Sequence, residues 1–148
     1  MGGSRQLCTF FLDNLHFGVD VGAVQEVLSE QATTPVPGAH EAVAGLINLR
    51  GQIVPAIDLR RRLQLASPVP STPAVNVVLR RGAGLVSLLA DRIGDVFEVE
   101  ESLFEAPPET VQGLTRTLIR GAYKLEERLL LVLDTNKALD LSRTGGNG

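Results

Sequence analysis

The side chains that could act as nucleophiles, bases or metal ligands are few and scattered along this chain. Cys8 is the single cysteine, and it falls in a run of strand-forming residues, where a buried and unreactive thiol is the usual outcome. A nucleophile needs a base within hydrogen-bond reach, and the two histidines, His16 and His40, lack the ligand spacing of a zinc site. The sequence therefore predicts no catalytic residue, no metal site, no cofactor and a protein that is not an enzyme.

The carboxylates fall at positions that have simpler explanations than acid–base chemistry. Asp58 and Asp134 each stand between an apolar run and a short helical pattern, so both are predicted to be helix N-caps. Glu26 and Asp95 occupy matching places in two similar segments. Two interpretations of this second pair stay open: solvated surface carboxylates, or contacts for a partner.

Arg50 stands out because apolar runs flank it on both sides. Within the stretch from Gly45 to Leu59, two short β-branched runs predict two strands joined by a tight turn at 50–52, and Gly51 supplies the positive φ that such turns need. Pro55 lacks an N–H, so the second strand is predicted to lie at an edge or to turn its proline away from a neighbour. Arg50 itself either holds the turn through a local ion pair or presents a fixed guanidinium to a partner.

The composition predicts a small globular protein that binds no nucleic acid. With 148 residues, few aromatics and no tryptophan, the chain has the size of one ordinary domain or of two very small ones that share a core. The net charge of -3 has the wrong sign for a phosphate-binding surface. The one basic run, Arg60-Arg61-Arg62, is predicted to form the solvated face of a short helix.

The composition and the hydropathy pattern also predict the cellular compartment. A single cysteine fits a reducing environment. No apolar run approaches the length of a membrane span, and the first residues contain no apolar signal core. We therefore expect a cytoplasmic protein with no direct membrane insertion.

Local patterns predict a chain made mostly of short strands. Alternating apolar residues predict strands over 15–20 and 75–79, and short runs of strand-forming residues predict strands over 7–12, 85–90, 96–99, 118–125 and 129–133, with 85–90 buried on both faces. Helical turns are predicted within 39–44, 59–65 and 135–141, either one or two helical turns or an apolar bend within 21–28, and loops over 33–38 and 105–113. We expect one domain over 7–141, a proline-rich connector at 66–73, and flexible ends at 1–6 and 142–148.

Two pairs of segments indicate an internal repeat. Residues 17–27 align with 86–96, and residues 53–63 align with 129–139. In the first pair, each segment is predicted to be a strand followed by an apolar residue, an acid and a valine. In the second pair, each is predicted to be a strand followed by a capping aspartate and a helical turn. Because each unit is too small to bury much apolar surface alone, the two copies should pack on one another.

With no catalytic set, the sequence points to a binding role. The candidate surface lies where apolar residues stand beside a few charges, namely at Val24, Glu26, Arg50, Ile93 and Val96. A partner helix with apolar anchors at helical spacing could lie in a groove between two barrels.

The segments described so far resemble the CheW family of chemotaxis coupling proteins. The main match is the stretch from Gly45 to Leu59, with Asn48-Leu49-Arg50-Gly51 at its centre. Further matches are 17–20 with 24–27, 90–96, and 119–121 followed by 129–134. Together they run from about Leu7 to Leu141. Ser87, where the family often has glycine, and the polar Gln52 are departures from the family pattern.

The resemblance implies a mainly all-β fold of two SH3-like five-stranded β-barrels packed on a shared apolar interface, with a few short helices. It also implies a non-catalytic adaptor that joins the regulatory domain of a chemotaxis histidine kinase to the cytoplasmic tip of a methyl-accepting chemoreceptor. Matched by position, the receptor-binding residues would be Val24, Glu26, Gly45, Arg50, Ile93 and Val96. The resemblance assigns no kinase-binding residue.

Two other classes of function are weighed against the adaptor. One is a CheW-like scaffold in a related sensory pathway, such as pilus motility or second-messenger control, which the sequence does not separate from chemotaxis. The other is a small β-barrel enzyme or nucleic-acid binder. The lack of a convergent acid–base or metal set disfavours the enzyme, and the lack of a basic face with exposed aromatics disfavours nucleic acid.

Overall fold

The computed structural model describes residues 3–65 and 75–141. Within these ranges the chain forms ten strands and three short α-helices. The strands are β1 Ser4–Leu12, β2 Leu15–Asp20, β3 Val24–Ser29, β4 Val43–Leu49, β5 Gln52–Asp58, β6 Val75–Arg81, β7 Gly84–Ala90, β8 Arg92–Glu100, β9 Ile119–Lys124 and β10 Leu129–Leu133. The helices are α1 Leu59–Arg62, α2 Gly113–Leu118 and α3 Thr135–Leu139, and 3-10 turns lie at Val21–Ala23 and Glu101–Leu103.

The strands form two five-stranded sheets, each of the SH3-like barrel type, as the resemblance implied. Barrel A has the strand order β8-β1-β2-β10-β9, and barrel B has the order β3-β6-β7-β5-β4. Each barrel therefore combines strands from both halves of the chain. A cut between β5 and β6 would divide both barrels rather than separate them.

The register of the two parallel strand pairs reproduces the internal repeat. In barrel A, Val132 of β10 lies opposite Gly18 of β2. In barrel B, Ala56 of β5 lies opposite Ser87 of β7. The alignment of the sequence halves places Gly18 over Ser87 and Val132 over Ala56. The two barrels are thus built from the same pairings.

Apolar side chains pack into three clusters, one between the barrels and one inside each. Neighbouring residues of a buried strand serve different clusters because their side chains point to opposite faces. On β7, Leu88 packs in the cluster between the barrels and Leu89 in the interior of barrel B. The cluster between the barrels includes Phe10, Phe17, Val77, Leu79 and Leu131; the interior of barrel B includes Ile47 and Val54; and that of barrel A includes Leu7, Tyr123 and Leu130.

The helical turns or apolar bend predicted for 21–28 are wrong for most of that segment. Only Val21–Ala23 forms a single 3-10 turn, and Val24–Ser29 is strand β3, paired antiparallel with β6. Burial alternates along β3 residue by residue, which is the period of a strand. Val24 and Leu28 lie on the half-buried face and Val27 on the exposed face, so the apolar spacing of three to four does not mark one face of a helix.

The capping aspartates are confirmed. The Asp58 side chain accepts a hydrogen bond from the Arg61 N–H at 3.2 Å, and the Asp134 side chain accepts one from the Lys137 N–H at 3.0 Å. Helix α1 ends at Arg62, three residues earlier than predicted.

Other boundaries differ from the predictions. The predicted turn at 39–44 is not helical, and β4 begins at Val43. Helix α2 was not predicted, since the sequence indicated only a loop followed by a strand. Strand β1 begins at Ser4, within the segment predicted to be flexible. The connector at 66–73 and the tail at 142–148 lie outside the described residues.

Pro55 sits in an interior strand. Strand β5 lies between β7 and β4, so it is not at an edge. Pro55 faces Leu46, and both backbone groups of Leu46 bond to Thr34 on its other side, each at 2.8 Å. Leu46 therefore makes no backbone hydrogen bond to Pro55, and the missing N–H of the proline costs no bond to β4. This agrees with the second alternative, in which the strand turns its proline away from a neighbour.

The basic run on α1 is not a solvated face, contrary to the prediction. The Arg62 guanidinium is buried and donates to the carbonyl oxygens of Ala138 and Lys137, at 2.7 and 2.9 Å, at the end of α3. Arg60 pairs with Asp13 and Asp91 at 2.8 and 2.7 Å. Tertiary contacts thus bury Arg62 and partly bury Arg60, and these two arginines link α1 to α3 and to barrel A.

Candidate functional site

The turn between β4 and β5 presents Arg50 at the end of barrel B. Arg50 and Gly51 both have positive φ, 51° and 88°, which is the pattern of the two-residue turn that best fits the twist of a hairpin. The Asn48 side chain accepts a hydrogen bond from the Gly51 N–H at 2.8 Å. An arginine in this left-handed conformation is uncommon, so its position is set by the turn rather than by its own preference.

Arg50 forms an ion pair with Glu26 of β3. The Arg50 side chain is 67% exposed and that of Glu26 is 24% exposed, so water screens the pair and its contribution to stability is small. The pair instead fixes the direction of the guanidinium. Both interpretations of Arg50 are therefore compatible with its geometry, since it is held locally and stays accessible.

Val24 lies at the start of β3, half-buried against the cluster between the barrels. The Arg80 guanidinium donates to the carbonyl oxygens of Gly22 and Val24 at 2.7 and 3.3 Å. Strand β3 is thus anchored from the neighbouring strand β6, which places Glu26 within reach of Arg50.

Gly45 does not offer a contact surface of its own. It is buried with a φ of 153°, and a side chain there would place its Cβ atom 2.5 Å from the Thr34 carbonyl oxygen. The missing side chain lets residue 34 bridge to β4 at Leu46. Barrel A has the same close approach of a backbone carbonyl to a glycine, since a Cβ atom at Gly121 would lie 2.3 Å from the Glu105 carbonyl oxygen.

Ile93 and Val96 lie on β8, an edge strand of barrel A, and are 42% and 59% exposed. The structure thus brings Glu26 and Arg50 together and keeps Ile93 and Val96 available. Among the described residues, no hydrogen bond or ion pair joins the two groups. They belong to edge strands of different barrels.

Sequence reasoning missed other exposed apolar side chains. They are Val27, Val36, Ile53, Leu103 and Phe104. Ile53 is 58% exposed and directly follows the Arg50 turn. The available signal was the alternation of β5, which places Ile53 and Val54 on opposite faces.

Charged side chains also tie the barrels to each other. Arg60 lowers the pKa of Asp13 by hydrogen bonding, and the two carboxylates raise the pKa of Arg60. Asp91 accepts a further hydrogen bond from the Asp13 N–H at 2.7 Å. This cluster connects α1, the β1–β2 turn and the segment before β8, and so has a structural role.

The residues considered as a nucleophile, a base or a metal ligand lie apart from one another. Cys8 is buried in the cluster between the barrels, and burial raises the pKa of its thiol. The His40 Nδ1 accepts a hydrogen bond from the Ala42 N–H at 2.9 Å. Across residues 3–65 and 75–141, no group of three or more histidine, cysteine or acidic side chains is arranged to hold a metal ion.

The helices of the described segments are all too short, or too polar, to cross a bilayer. Within the described segments, two β-barrels present the Arg50–Glu26 ion pair and several exposed apolar side chains at their surface. That is the surface of a binding module.

Comparisons with known proteins agree with this class. A model of the CheW-like domain family matches residues 6–143. The chemotaxis protein CheW of Bacillus subtilis (strain 168) is 33% identical over 136 residues, which cover 92% of this chain and 87% of that protein. The chemotaxis protein CheW of Rhizobium meliloti (strain 1021) is 30% identical over 132 residues, 89% of this chain and 85% of that protein.

A solved structure shares the whole fold. The crystal structure of the scaffolding protein TtCheW from Thermoanaerobacter tengcongensis superposes with a TM-score of 0.79 at 25% identity, covering 88% of this chain and 89% of that one. The chain therefore belongs to the CheW-like domain family.

Proposed function

We propose that this protein is a non-catalytic adaptor that couples the cytoplasmic tips of chemoreceptors to a chemotaxis histidine kinase. The family assignment supports this role, since relatives over nine-tenths of the chain carry the name of the chemotaxis protein CheW. Such a role requires a cytoplasmic protein that binds two partners at separate surfaces.

The observation that carries the proposal is the Arg50–Glu26 pair. A guanidinium that is two-thirds exposed yet held by a carboxylate is ready to contact a partner without losing much side-chain freedom on binding. The neighbouring Ile53, itself exposed, supplies apolar surface next to the charge. Arginine beside an apolar residue is a frequent combination at the energetic centre of an interface.

The receptor-binding surface in this proposal comprises Val24, Glu26, Arg50, Ile93 and Val96. A receptor tip is a helical coiled coil, so its apolar anchors would meet Ile93 and Val96 while its charged residues meet Arg50. Gly45 belongs to this set by holding the 33–38 segment against β4, rather than through contact with the receptor.

The test is binding of the receptor tip and the kinase regulatory domain, measured separately by calorimetry. Arg50→Ala is expected to weaken receptor-tip binding about tenfold or more and to leave kinase binding unchanged. The matched control is Arg61→Ala, because Arg61 is also a well-exposed arginine with a carboxylate neighbour, at 58% exposure. Unchanged binding of both partners by Arg50→Ala, with the fold intact, would remove Arg50 from the proposed surface.

Binding of the kinase regulatory domain tests the adaptor role itself. Micromolar binding to the regulatory domain of a chemotaxis-type histidine kinase from the same genome supports the adaptor. Failure to bind any such domain contradicts the chemotaxis role and favours a scaffold in a related sensory pathway. The family assignment would then still stand.

A further inference from the structure

Strand β8 has a bulge in its pairing with β1. On β1 only Thr9 stands between the paired residues Cys8 and Phe10, whereas β8 has two residues there, Gly94 and Asp95. A bulge leaves a residue out of the ladder and weakens the pairing locally, and the Thr9 hydroxyl holds this one by donating to the Asp95 carbonyl oxygen at 2.5 Å. In the described sheet β8 is an edge strand that pairs with β1 alone. The bulge can therefore separate from β1 without breaking a second strand pairing.

The closed bulge covers the imidazole of His16, which is buried at 3% exposure. A Cβ atom at Gly94 would lie 2.5 Å from the Thr9 hydroxyl oxygen and 3.5 Å from Nε2 of the imidazole, so a glycine is needed for the main chain to approach this closely. The ring stacks on Phe11, with centroids 4.4 Å apart, and meets the edge of Phe97. Both ring nitrogens are buried, and neither has a hydrogen-bond partner among the described residues.

Such a site is suited only to a neutral imidazole. The neutral ring has one N–H donor and one acceptor, whereas the imidazolium has two donors and a charge. Burying an unpaired charge costs far more than burying an unpaired polar group. Burial and the charge of Arg128 lower the pKa of His16, and Arg92 lowers it further, whereas Asp95 raises it.

Charged side chains reach the surroundings of the ring from two elements. Strand β8 contributes Arg92 and Asp95, and the connection from β9 to β10 contributes Glu126, Glu127 and Arg128. Strand β1 contributes a hydroxyl and a phenyl ring, which carry no charge. All of these charged groups except Arg92 line a cleft of about 540 Å³ beside the bulge. An imidazolium released toward this cleft would meet water and three carboxylates.

Barrel B has the same bulge without a buried histidine. Its strand β3 is also an edge strand, and the pairing with β6 shifts register within 24–26, the segment that aligns with 93–95. The alignment of the two halves places Leu85 at the position of His16 and Gln25 at the position of Gly94. Leu85 is a partly buried apolar side chain of barrel B. Strand β3 is therefore an internal control that shares the bulge and lacks the titratable ring.

We infer that His16 and the bulge at Gly94–Asp95 form a pH-sensitive switch, in which the bulge closes on the neutral imidazole and separates from β1 when the imidazole is protonated. The open state gives both N–H groups access to water and to the carboxylates of the cleft. Ile93 and Val96 flank the bulge, so opening also moves these two exposed apolar side chains. The switch lies within barrel A and does not depend on the proposed adaptor role.

Hydrogen exchange of backbone amides, followed by NMR on the intact protein, tests this inference. Protection factors, which correct for the pH dependence of the intrinsic exchange rate, are compared at pH 7.5 and 5.5 for 93–97 of β8 and 24–29 of β3. We expect the protection on β8 to fall about tenfold. A solvent-exposed imidazole with a pKa of about 6.5 favours the open state by that factor at pH 5.5 if the closed site binds no proton. Protection on β3 should change by less than about twofold, because its local opening exposes no titrating ring.

The variant His16→Phe connects the response to the imidazole. It keeps a ring stacked on Phe11 and cannot be protonated, so protection on its β8 should change as little as that on β3. The comparison of β8 with β3 in the wild type is decisive even if this variant does not fold.

Three results would overturn the inference. An equal fall in the two strands would mean that His16 is protonated only on global unfolding. Unchanged protection on β8 would mean that protonation does not open the bulge. A fall on β8 that persists in His16→Phe would assign the opening to another group.

Discussion

Neighbouring residues of one type have different roles on helix α1. Arg60 pairs with two aspartates, Arg61 is exposed, and Arg62 is buried against the carbonyl groups that end α3. Counting charges along the sequence treats these three side chains alike. Their roles depend on which carboxylates and carbonyl groups the fold brings near, so the chemical type of a residue is a weak guide to its function here.

His16 gives a prediction about pH at this scale. Burial and two arginines lower the pKa of His16 in the folded protein, while the unfolded chain has an ordinary value of about 6.5. The unfolded chain therefore binds the proton first as the pH falls. The stability contributed by the neutral imidazole is complete above about pH 6.5 and is lost as the pH falls toward the lower folded-state pKa.

The variant His16→Phe keeps the ring stacked on Phe11 and removes the titration. We expect its free energy of unfolding, from urea titrations between pH 7.5 and 5, to decline less than that of the wild type. His40 is present in both proteins and cancels in the difference. If the free energies of unfolding of the two proteins fall in parallel with pH, His16 has the same pKa in the folded and unfolded states and the prediction is wrong.

At the scale of elements, both barrels cover an edge strand by the same means. Residue 34 bridges to Leu46 of β4, and residue 105 bridges to Ala122 of β9. In each case the residue before the bridged one is a glycine, Gly45 or Gly121, whose absent side chain permits the contact. An uncovered edge strand is open to pairing with other chains, so these bridges protect β4 and β9 along part of their length.

Gly45→Ala tests whether this glycine is structural. The added Cβ atom would meet the Thr34 carbonyl oxygen, and the positive φ of 153° disfavours a side chain. We expect a loss of about 2 kcal/mol or more in the free energy of unfolding, measured by urea denaturation. The control is Gly22→Ala, where no atom lies within 4 Å of the added Cβ and the φ is not positive, with an expected change within about 0.5 kcal/mol. Equal effects in the two variants would contradict the structural role.

At the scale of the whole molecule, the exchange of strands makes the two barrels one folding unit. Each barrel takes strands from both halves of the chain, and the largest apolar cluster lies between the barrels. Neither barrel is complete without the other half, so partial unfolding would expose the shared interface. We therefore expect a single cooperative transition.

Two probes in the same urea titration can check this. Tyr123, the only tyrosine in a chain without tryptophan, is buried in the interior of barrel A, while far-UV circular dichroism reports on both barrels. The tyrosine fluorescence and the dichroism should give the same midpoint and the same slope. Separated midpoints would mean that barrel A unfolds independently.

The β class, the repeat and the local structures that depend on neighbours along the chain could all be predicted from residue types and spacing. The tight turn at Arg50-Gly51, the caps at Asp58 and Asp134 and the extended state of β2, β6 and β7 need only a few adjacent residues, so residue type and spacing suffice to predict them. The family assignment also follows from such local segments taken in order.

The features that join distant parts of the chain could not be predicted in this way and are visible in the fold alone. The pairing of β3 with β6, the burial of Arg62 and the close approach of residue 34 to Gly45 depend on partners that are not adjacent along the chain. The spacing of residues along the chain does not predict these contacts, because they depend on how the strands and barrels pack.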